Sequence, residues 1–152
     1  MAERPIPLRV FQQTRRLLMI DHTGVVVSDL ARARRFYDAI AAALGLQTAD
    51  NGPEAFLFGK SAVEPIPYLW IGTTRPSYWV EGSRAGLNQM HVALQARDKA
   101  MVDAFHRAAL ENGGTDNGPP GPRQGAGAYY GAFVLDPDGN NIEACARGKA
   151  TK

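Results

Sequence analysis

The sequence predicts an α+β domain made of two copies of one unit, each a strand, a helix and three further strands. Residues repeat at a constant offset, and apolar residues alternate along the expected strands and recur at helical spacing along the expected helices. The offset is 69, and it relates the identical pairs His22 and His91, Asp29 and Asp98, Ala31 and Ala100, Phe36 and Phe105, Ala39 and Ala108, and Gly45 and Gly114. This repetition indicates a duplication, so we expect a pseudo-twofold axis to relate the two histidines. Two imidazoles that face each other are suited to bind a metal.

The first copy covers residues 19–84 and begins with a strand followed by a helix. Alternation along the strand predicts that His22 lies on the face opposite Thr23. Asp29 caps the helix, because its carboxylate can accept from the free backbone amides of the first turn, and Gly45 ends it. The elements expected in this copy are a strand at 20–27, a helix at 30–44, and strands at 47–50, 55–59 and 67–72.

The second copy covers residues 85–148 and repeats this order. Its first strand, 89–96, carries His91 on a mixed, wettable face, and Asp98 caps the helix that follows. A stretch rich in glycine and proline, 117–127, is expected to be a loop. The copy ends in a hairpin of strands 129–135 and 141–146 with a turn at 136–140, and Glu143 shares one face of the last strand with Cys145.

Length and composition indicate one globular domain. The chain has 152 residues, of which 45% are hydrophobic and 21% charged, and its formal net charge of +2 gives little support for binding nucleic acid. Residues 1–18 are expected to form an N-terminal arm and 149–152 a short tail. No apolar run approaches the ~18 residues that span a membrane, and a single cysteine without a secretory segment fits a cytoplasmic protein.

Three segments carry a pattern found in one known superfamily. They are residues 21–30 (DHTGVVVSDL) with Phe36-Tyr37, residues 91–94 (HVAL) with Phe105, and residues 136–143 (DPDGNNIE). Together they resemble the vicinal oxygen chelate superfamily, which includes glyoxalase I, extradiol dioxygenases, fosfomycin-modifying enzymes and bleomycin resistance proteins. The resemblance covers the chain from about residue 19 to residue 147.

The resemblance implies a fold and a site. In this superfamily the two units curl into a half-open barrel around a cup, with the helices outside, and the proteins are commonly homodimers. The implied metal ligands here are His22, His91 and Glu143. The two copies could pair within one chain or be exchanged between subunits, which would build each cup from two chains.

The chemistry of these residue types agrees with a metal site. Two neutral imidazoles and one carboxylate hold a divalent ion on one side and leave positions for water or substrate oxygens, and they accept iron, manganese, nickel or zinc. Such an ion acts as a Lewis acid, and Glu143 or a metal-bound hydroxide is the leading candidate for a base if the reaction transfers a proton. The alternative is a cup that has lost its metal, whose polar residues hydrogen-bond to water or ligand.

The chain departs from glyoxalase I at one position. When the last strands of the two copies are aligned, Trp70 occupies the position equivalent to Glu143. In glyoxalase I, which the chain resembles, each half of the site supplies a carboxylate. An isomerase that moves a proton between adjacent carbons benefits from a base on each side of its substrate. A true glyoxalase I activity is therefore not expected, because this chain supplies one obvious base.

Other branches of the superfamily match in part. Extradiol dioxygenases, which the chain also resembles, have the same His, His, Glu ligand set, but they use a further histidine in catalysis. The remaining histidine of this chain, His106, is expected on the surface of the second helix. Fosfomycin-modifying enzymes share the ligand set, although nothing here identifies a phosphonate or thiol site. Arg123 is a candidate to bind an anionic substrate group. Aromatic candidates to stack on a planar ligand are Trp70, Phe56, Phe58, Tyr129 and Tyr130.

We therefore predict a metal-dependent enzyme of the glyoxalase or dioxygenase type that acts on a small oxygenated substrate. A homodimer is expected, with neither nucleic acid nor a membrane as a partner. The main alternative is a metal-free protein that sequesters a small molecule, as bleomycin resistance proteins do. A third hypothesis is an interaction module on an inactive enzyme scaffold, whose cup would be plugged by Trp70 and the tyrosines.

Overall fold

The computed structural model describes residues 20–63, 66–87, 90–124 and 127–148, so the predicted arm and the predicted tail lie outside the described residues. The elements are β1 (His22–Val26), α1 (Leu30–Leu44), β2 (Gln47–Asp50), β3 (Ala55–Gly59), β4 (Tyr68–Gly72), β5 (His91–Gln95), α2 (Lys99–Glu111), β6 (Thr115–Arg123), β7 (Tyr129–Leu135) and β8 (Asn141–Ala146). This order confirms the predicted α+β fold of two repeated units. Within the described ranges, no helix is both long and apolar enough to cross a membrane.

Each unit forms a four-stranded mixed sheet with the same topology. The strand orders are β1-β4-β3-β2 and β5-β8-β7-β6, and in each unit the first strand pairs in parallel with the last. The helix makes the crossover that a parallel pair requires. Both sheets are curved and neither closes into a barrel.

The caps of α1 and α2 follow the predicted chemistry. The Asp29 carboxylate accepts a hydrogen bond from the Arg32 amide, and the Asp98 carboxylate accepts one from the Met101 amide. Gly45 ends α1 with a φ of 66°, a left-handed conformation that glycine adopts without strain. The boundaries of α1 therefore match those expected from the sequence.

The stretch 117–127 was expected to be a loop, and this expectation is wrong for most of its length. Residues 115–123 form β6, which pairs with β7 at the edge of the second sheet. The ladder shifts register between Asp116 and Gly118 and again between Gly118 and Gly121. Edge position and bulges tolerate prolines, which lack a backbone donor, so a proline-rich segment can still be a strand here.

One hydrophobic core joins the two units. Helices α1 and α2 pack against each other and against the sheets. The fully buried residues of these two helices include Phe36, Ile40, Val102 and Phe105. The sheet face opposite the helices is called the open face below. It carries His22, Gly24, Tyr68 and Trp70 in the first sheet and His91, Ala93, Asn141 and Glu143 in the second.

The turn at residues 136–140 fastens the second unit to the first. Buried Asp136 accepts hydrogen bonds from the Asn140 amide, the Asn140 side chain and, at 2.9 Å, the hydroxyl of fully buried Tyr37 on α1. Asp138 accepts from the backbone and side chain of Ser28 and forms an ion pair with Arg32. The role of this turn is therefore structural.

We expect the Tyr37→Phe variant to lose about 1–3 kcal/mol of unfolding free energy, because the hydroxyl donates to a buried carboxylate and its loss removes a charge-assisted hydrogen bond. Urea denaturation followed by circular dichroism measures this loss. Tyr78→Phe is the matched control, since Tyr78 is 79% exposed. Equal stability of the two variants would contradict the assigned role of this hydrogen bond.

Candidate metal centre

The parallel pairing of β5 with β8 brings a histidine and a carboxylate together on the open face. The register sets His91 opposite Asn141 and Ala93 opposite Glu143. His91 Nε2 lies 3.1 Å from Glu143 Oε2. Two ligand atoms that each lie about 2.1 Å from one ion, at a right angle, are about 3 Å apart. The pair therefore has the spacing of neighbouring metal ligands.

The Glu143 carboxylate is buried and incompletely satisfied. Its side chain is 5% exposed, and its Oε1 has no hydrogen-bond partner among the described residues. A side-chain carbon placed on Gly131 would lie 3.0 Å from this Oε1 and 2.7 Å from Tyr129 Cε2. Glycine at 131 thus lets the Tyr129 ring and Oε1 pack closely over the backbone of β7. A buried carboxylate oxygen with an unused acceptor is a feature that a cation or a proton donor would satisfy.

Two neighbours hold the His91 ring in place. The Asn141 side-chain amide lies 3.1 Å from His91 Nδ1, and the Phe133 ring stacks on the imidazole at 5.9 Å between centroids. Arg123 continues this stack, since its guanidinium lies 5.6 Å from the Phe133 centroid while donating to the Pro119 carbonyl. Asn141, through its amide nitrogen, and Phe133 together fix the orientation of the His91 ring.

Glu143 also changes the acidity of its neighbours. Its carboxylate, followed by burial, raises the pKa of Tyr129, because the phenolate would face a negative charge. Burial, followed by the charge of Glu143, raises the pKa of Cys145. Cys145 therefore stays protonated at neutral pH, as expected for an inert thiol rather than a nucleophile.

The third predicted ligand, His22, lies on the open face of the other sheet. Its side chain is 56% exposed, its Nδ1 lies 2.8 Å from Asp21 Oδ1, and its ring stacks on Tyr68 at 5.0 Å. Because a carboxylate only accepts hydrogen bonds, Nδ1 is the donor in this contact, and Nε2 is directed away from Asp21. Within the described ranges, no three His, Cys, Asp or Glu side chains of one chain come together as a metal site, so His22 does not join His91 and Glu143 there.

Trp70 occupies the position that mirrors Glu143. The register sets Trp70 opposite Gly24 and Glu143 opposite Ala93, and residues 24 and 93 are counterparts in the repeat, which confirms the alignment made from the sequence. The indole lies flat across the open face, since a side-chain carbon on Gly24 would touch it at 3.6 Å and one on Gly72 would overlap its far edge. The first sheet therefore presents a half-buried aromatic surface where the second presents a carboxylate.

Three aromatic residues predicted to contact a ligand are directed elsewhere, which corrects that expectation. Phe56 and Phe58 are opposite Ile71 and Leu69 in the sheet, on its helix side, and pack on Tyr37 in the core. Tyr130 also lies on the helix side of its sheet, where its hydroxyl donates to Asp103 of α2. Side chains alternate along a strand, so Tyr129 is on the open face and Tyr130 is not.

The remaining histidine is also away from the pair. His106 Nε2 lies 2.8 Å from Asp116 Oδ1, and this contact links α2 to β6. Sequence reasoning missed Asp21, Tyr68, Phe133 and Asn141 as neighbours of the two histidines. Asp21 adjoins His22 in the chain, and Asn141 shares a strand face with Glu143, so these two could have been found from spacing alone.

Comparisons with known proteins give a consistent result. A model of the Glyoxalase/Bleomycin resistance protein/Dioxygenase superfamily matches residues 19–144. A lactoylglutathione lyase of Haemophilus influenzae is 33% identical over 144 residues, which cover 89% of this chain and 96% of the relative. A lactoylglutathione lyase of Salmonella typhimurium is 32% identical over 134 residues, 80% of this chain and 87% of that protein. The crystal structure of a glyoxalase/bleomycin resistance protein from Albidiferax ferrireducens, 34% identical, superposes with a TM-score of 0.71 over 86% of this chain and 100% of that one.

The Glu143→Gln variant should lower the pKa of Tyr129 toward its ordinary value, because the neutral amide no longer opposes the phenolate charge. Ultraviolet titration of tyrosine ionisation measures the change, with a Tyr129→Phe variant to assign the signal. Glu111→Gln on the exposed surface of α2 is the control. An unchanged Tyr129 pKa in Glu143→Gln would contradict the interaction.

Proposed function

Because the chain belongs to the Glyoxalase/Bleomycin resistance protein/Dioxygenase superfamily, we propose that it is a divalent-metal-dependent enzyme that acts on a small oxygenated substrate. The observation that carries this proposal is the buried Glu143 carboxylate, which lies 3.1 Å from His91 Nε2 and has one oxygen without a hydrogen-bond partner in the described part of the chain. A purely structural ion pair would be expected to satisfy both carboxylate oxygens, since unsatisfied buried acceptors cost stability.

We propose that His22 of a second copy completes the ligand set, in a homodimer. Three properties support this exchange: His22 is exposed on an open face, Asp21 holds its ring as a second-sphere carboxylate holds a metal-binding imidazole, and the three ligands do not meet in one chain. The open faces of both sheets carry the candidate ligands, so a partner that covers them would bring the two half-sites together. A twofold dimer builds such a site twice.

The roles of this chain's residues follow from their positions. A divalent ion bound there, whether iron, manganese, nickel or zinc, would supply a Lewis acid that polarises substrate oxygens. Asn141 and Phe133 orient the His91 ring. Glu143 is the leading group to take a proton from a substrate carbon at Oε1, and burial among aromatic rings keeps water away from that atom. Tyr129 can donate a hydrogen bond beside it.

Trp70 limits which reaction the site can perform. It stands where a second carboxylate would mirror Glu143, so the site has a base on one side and an aromatic surface on the other. The relatives named lactoylglutathione lyase support a glyoxalase-like enzyme. We infer a different reaction for this chain, one that needs a single base or none, and a panel of a diol, a thiol adduct and a ketoaldehyde tests this inference directly.

Metal analysis of protein prepared without chelators tests the central proposal. We expect the wild type to hold a divalent ion, and the His91→Ala and Glu143→Gln variants to lose most of it because each removes one ligand from the pair. Elemental analysis by mass spectrometry gives the stoichiometry. His106→Ala, which removes a histidine outside the pair, is the matched control and should retain the metal.

Two results would contradict the metal proposal. If wild-type protein neither holds nor rebinds iron, manganese, nickel or zinc, the alternative of a metal-free binding protein is supported instead, with Trp70 as its stacking surface. If His106→Ala loses as much metal as His91→Ala, the bound ion lies elsewhere.

Complementation tests whether the ligands come from two chains. His22→Ala and Glu143→Gln homodimers should each bind little metal. A heterodimer of the two, purified through different affinity tags, should regain one intact site, formed by His22 of the Glu143→Gln chain and by His91 and Glu143 of the His22→Ala chain. If each site belonged to a single chain, every site in this heterodimer would be defective and no metal would return.

A further inference from the structure

A cavity lies next to the candidate metal centre, at one end of the second sheet. It has a volume of about 440 Å³ and is lined by residues 97–99, 128–130 and 146–148 with Pro122. These residues come from the start of α2, the start of β7 and the end of β8. Two of these residues, Tyr129 and Tyr130, were predicted from the sequence to contact a ligand.

The charged side chains that line this cavity are mostly basic. Arg97, Lys99 and Arg147 are cations, and Asp98 is the one carboxylate among the lining residues that the structure describes. The Asp98 carboxylate is already engaged, because it accepts from the Met101 amide as the cap of α2. The cavity therefore has an excess of positive charge that favours an anion.

The two tyrosines of the cavity position two of these cations. Arg147 lies 4.9 Å from the Tyr129 ring centroid, and Lys99 lies 5.4 Å from that of Tyr130. A guanidinium that stacks on an aromatic face directs its N–H donors along the plane of the ring, where they can pair with an oxyanion. Tyr130 is itself held by the hydrogen bond from its hydroxyl to Asp103.

Tyr129 is shared between this cavity and the metal centre. Its ring lines the cavity, and its Cε2 atom and Glu143 Oε1 both lie within 3.0 Å of the point where a side-chain carbon of residue 131 would stand. A substrate that reaches from the Glu143 carboxylate past Tyr129 would therefore enter the basic cavity.

We propose that this basic cavity binds an oxyanion group of the substrate, a carboxylate or a phosphate, while the oxygenated end of the same molecule reaches the His91–Glu143 pair. The position of that oxygenated end rests on the proposed function, whereas the binding of the oxyanion does not. The substrate class is thus a small anionic oxygenated molecule rather than a neutral one.

Anion titration of metal-free protein tests the cavity alone. Protein freed of metal by a chelator is titrated at low ionic strength with inorganic phosphate and, separately, with malonate, and amide shifts are followed by two-dimensional NMR. Saturable shifts should cluster at residues 97–99, 128–130 and 146–148. The anion that binds more tightly, phosphate or malonate, shows whether the cavity prefers a phosphate or a carboxylate group.

Charge-removing variants complete the test. Lys99→Gln and Arg147→Gln should each weaken binding about tenfold, as expected when one charge-assisted contact is lost. Arg107→Gln, on the exposed side of α2, should leave binding unchanged. Binding to neither anion, or equal weakening by all three substitutions, would overturn the proposal. Because the metal is absent throughout, a negative result here is distinct from failure of the metal proposal.

Discussion

The arrangement of this protein depends on the parallel pairing of the first and last strands in each unit. A parallel pair requires a long crossover, and the helix and two strands between its members provide it. The pairing places residue 91 beside residue 141, which is far away in the chain, and sets Glu143 one pleat further along. Because side chains alternate, both face away from the helix. One topological rule thus makes a half-site from a histidine and a carboxylate.

The duplication supplies the same geometry twice, but the two halves use it differently. In the second sheet the shared face holds His91 and Glu143, and in the first it holds His22 and Trp70. The two sheets therefore have similar backbones but different side chains on their open faces. The face of the second sheet can bind a ligand ion and accept a proton, and the face of the first can stack on a flat molecule. If the proposed reaction uses a base on a single side, this difference suits it, because the indole would exclude water from the other side without acting as a metal ligand.

Most of the fold could be predicted from the sequence, and the failures have physical causes. The bounds of α1 were predictable because Asp29, Gly45 and a regular apolar stripe all indicate them. The strand β6 was not, because its prolines oppose a ladder and only an edge position with bulges accommodates them. The face of the sheet on which Phe56 and Tyr130 lie depends on which residues of each strand point toward the helices. In a strand with aromatic residues at successive or alternate positions, the hydrophobic pattern does not reveal this. The meeting of His91 with Glu143 was expected, whereas the partner of His22 depends on assembly, which no pattern within one chain encodes.

The state of Glu143 links the site to the rest of the molecule. A buried acceptor without a partner costs about 1–3 kcal/mol, and more when it is charged, so the fold must offset this cost elsewhere. The turn at 136–140 is well placed to do so, since it fastens β8 and β7 to α1 through the fully satisfied carboxylate of Asp136. Two buried carboxylates therefore stand close together in the sequence with opposite characters. Both oxygens of Asp136 accept hydrogen bonds that hold the fold together. One oxygen of Glu143 has no partner among the described residues and is the atom proposed to contact a ligand.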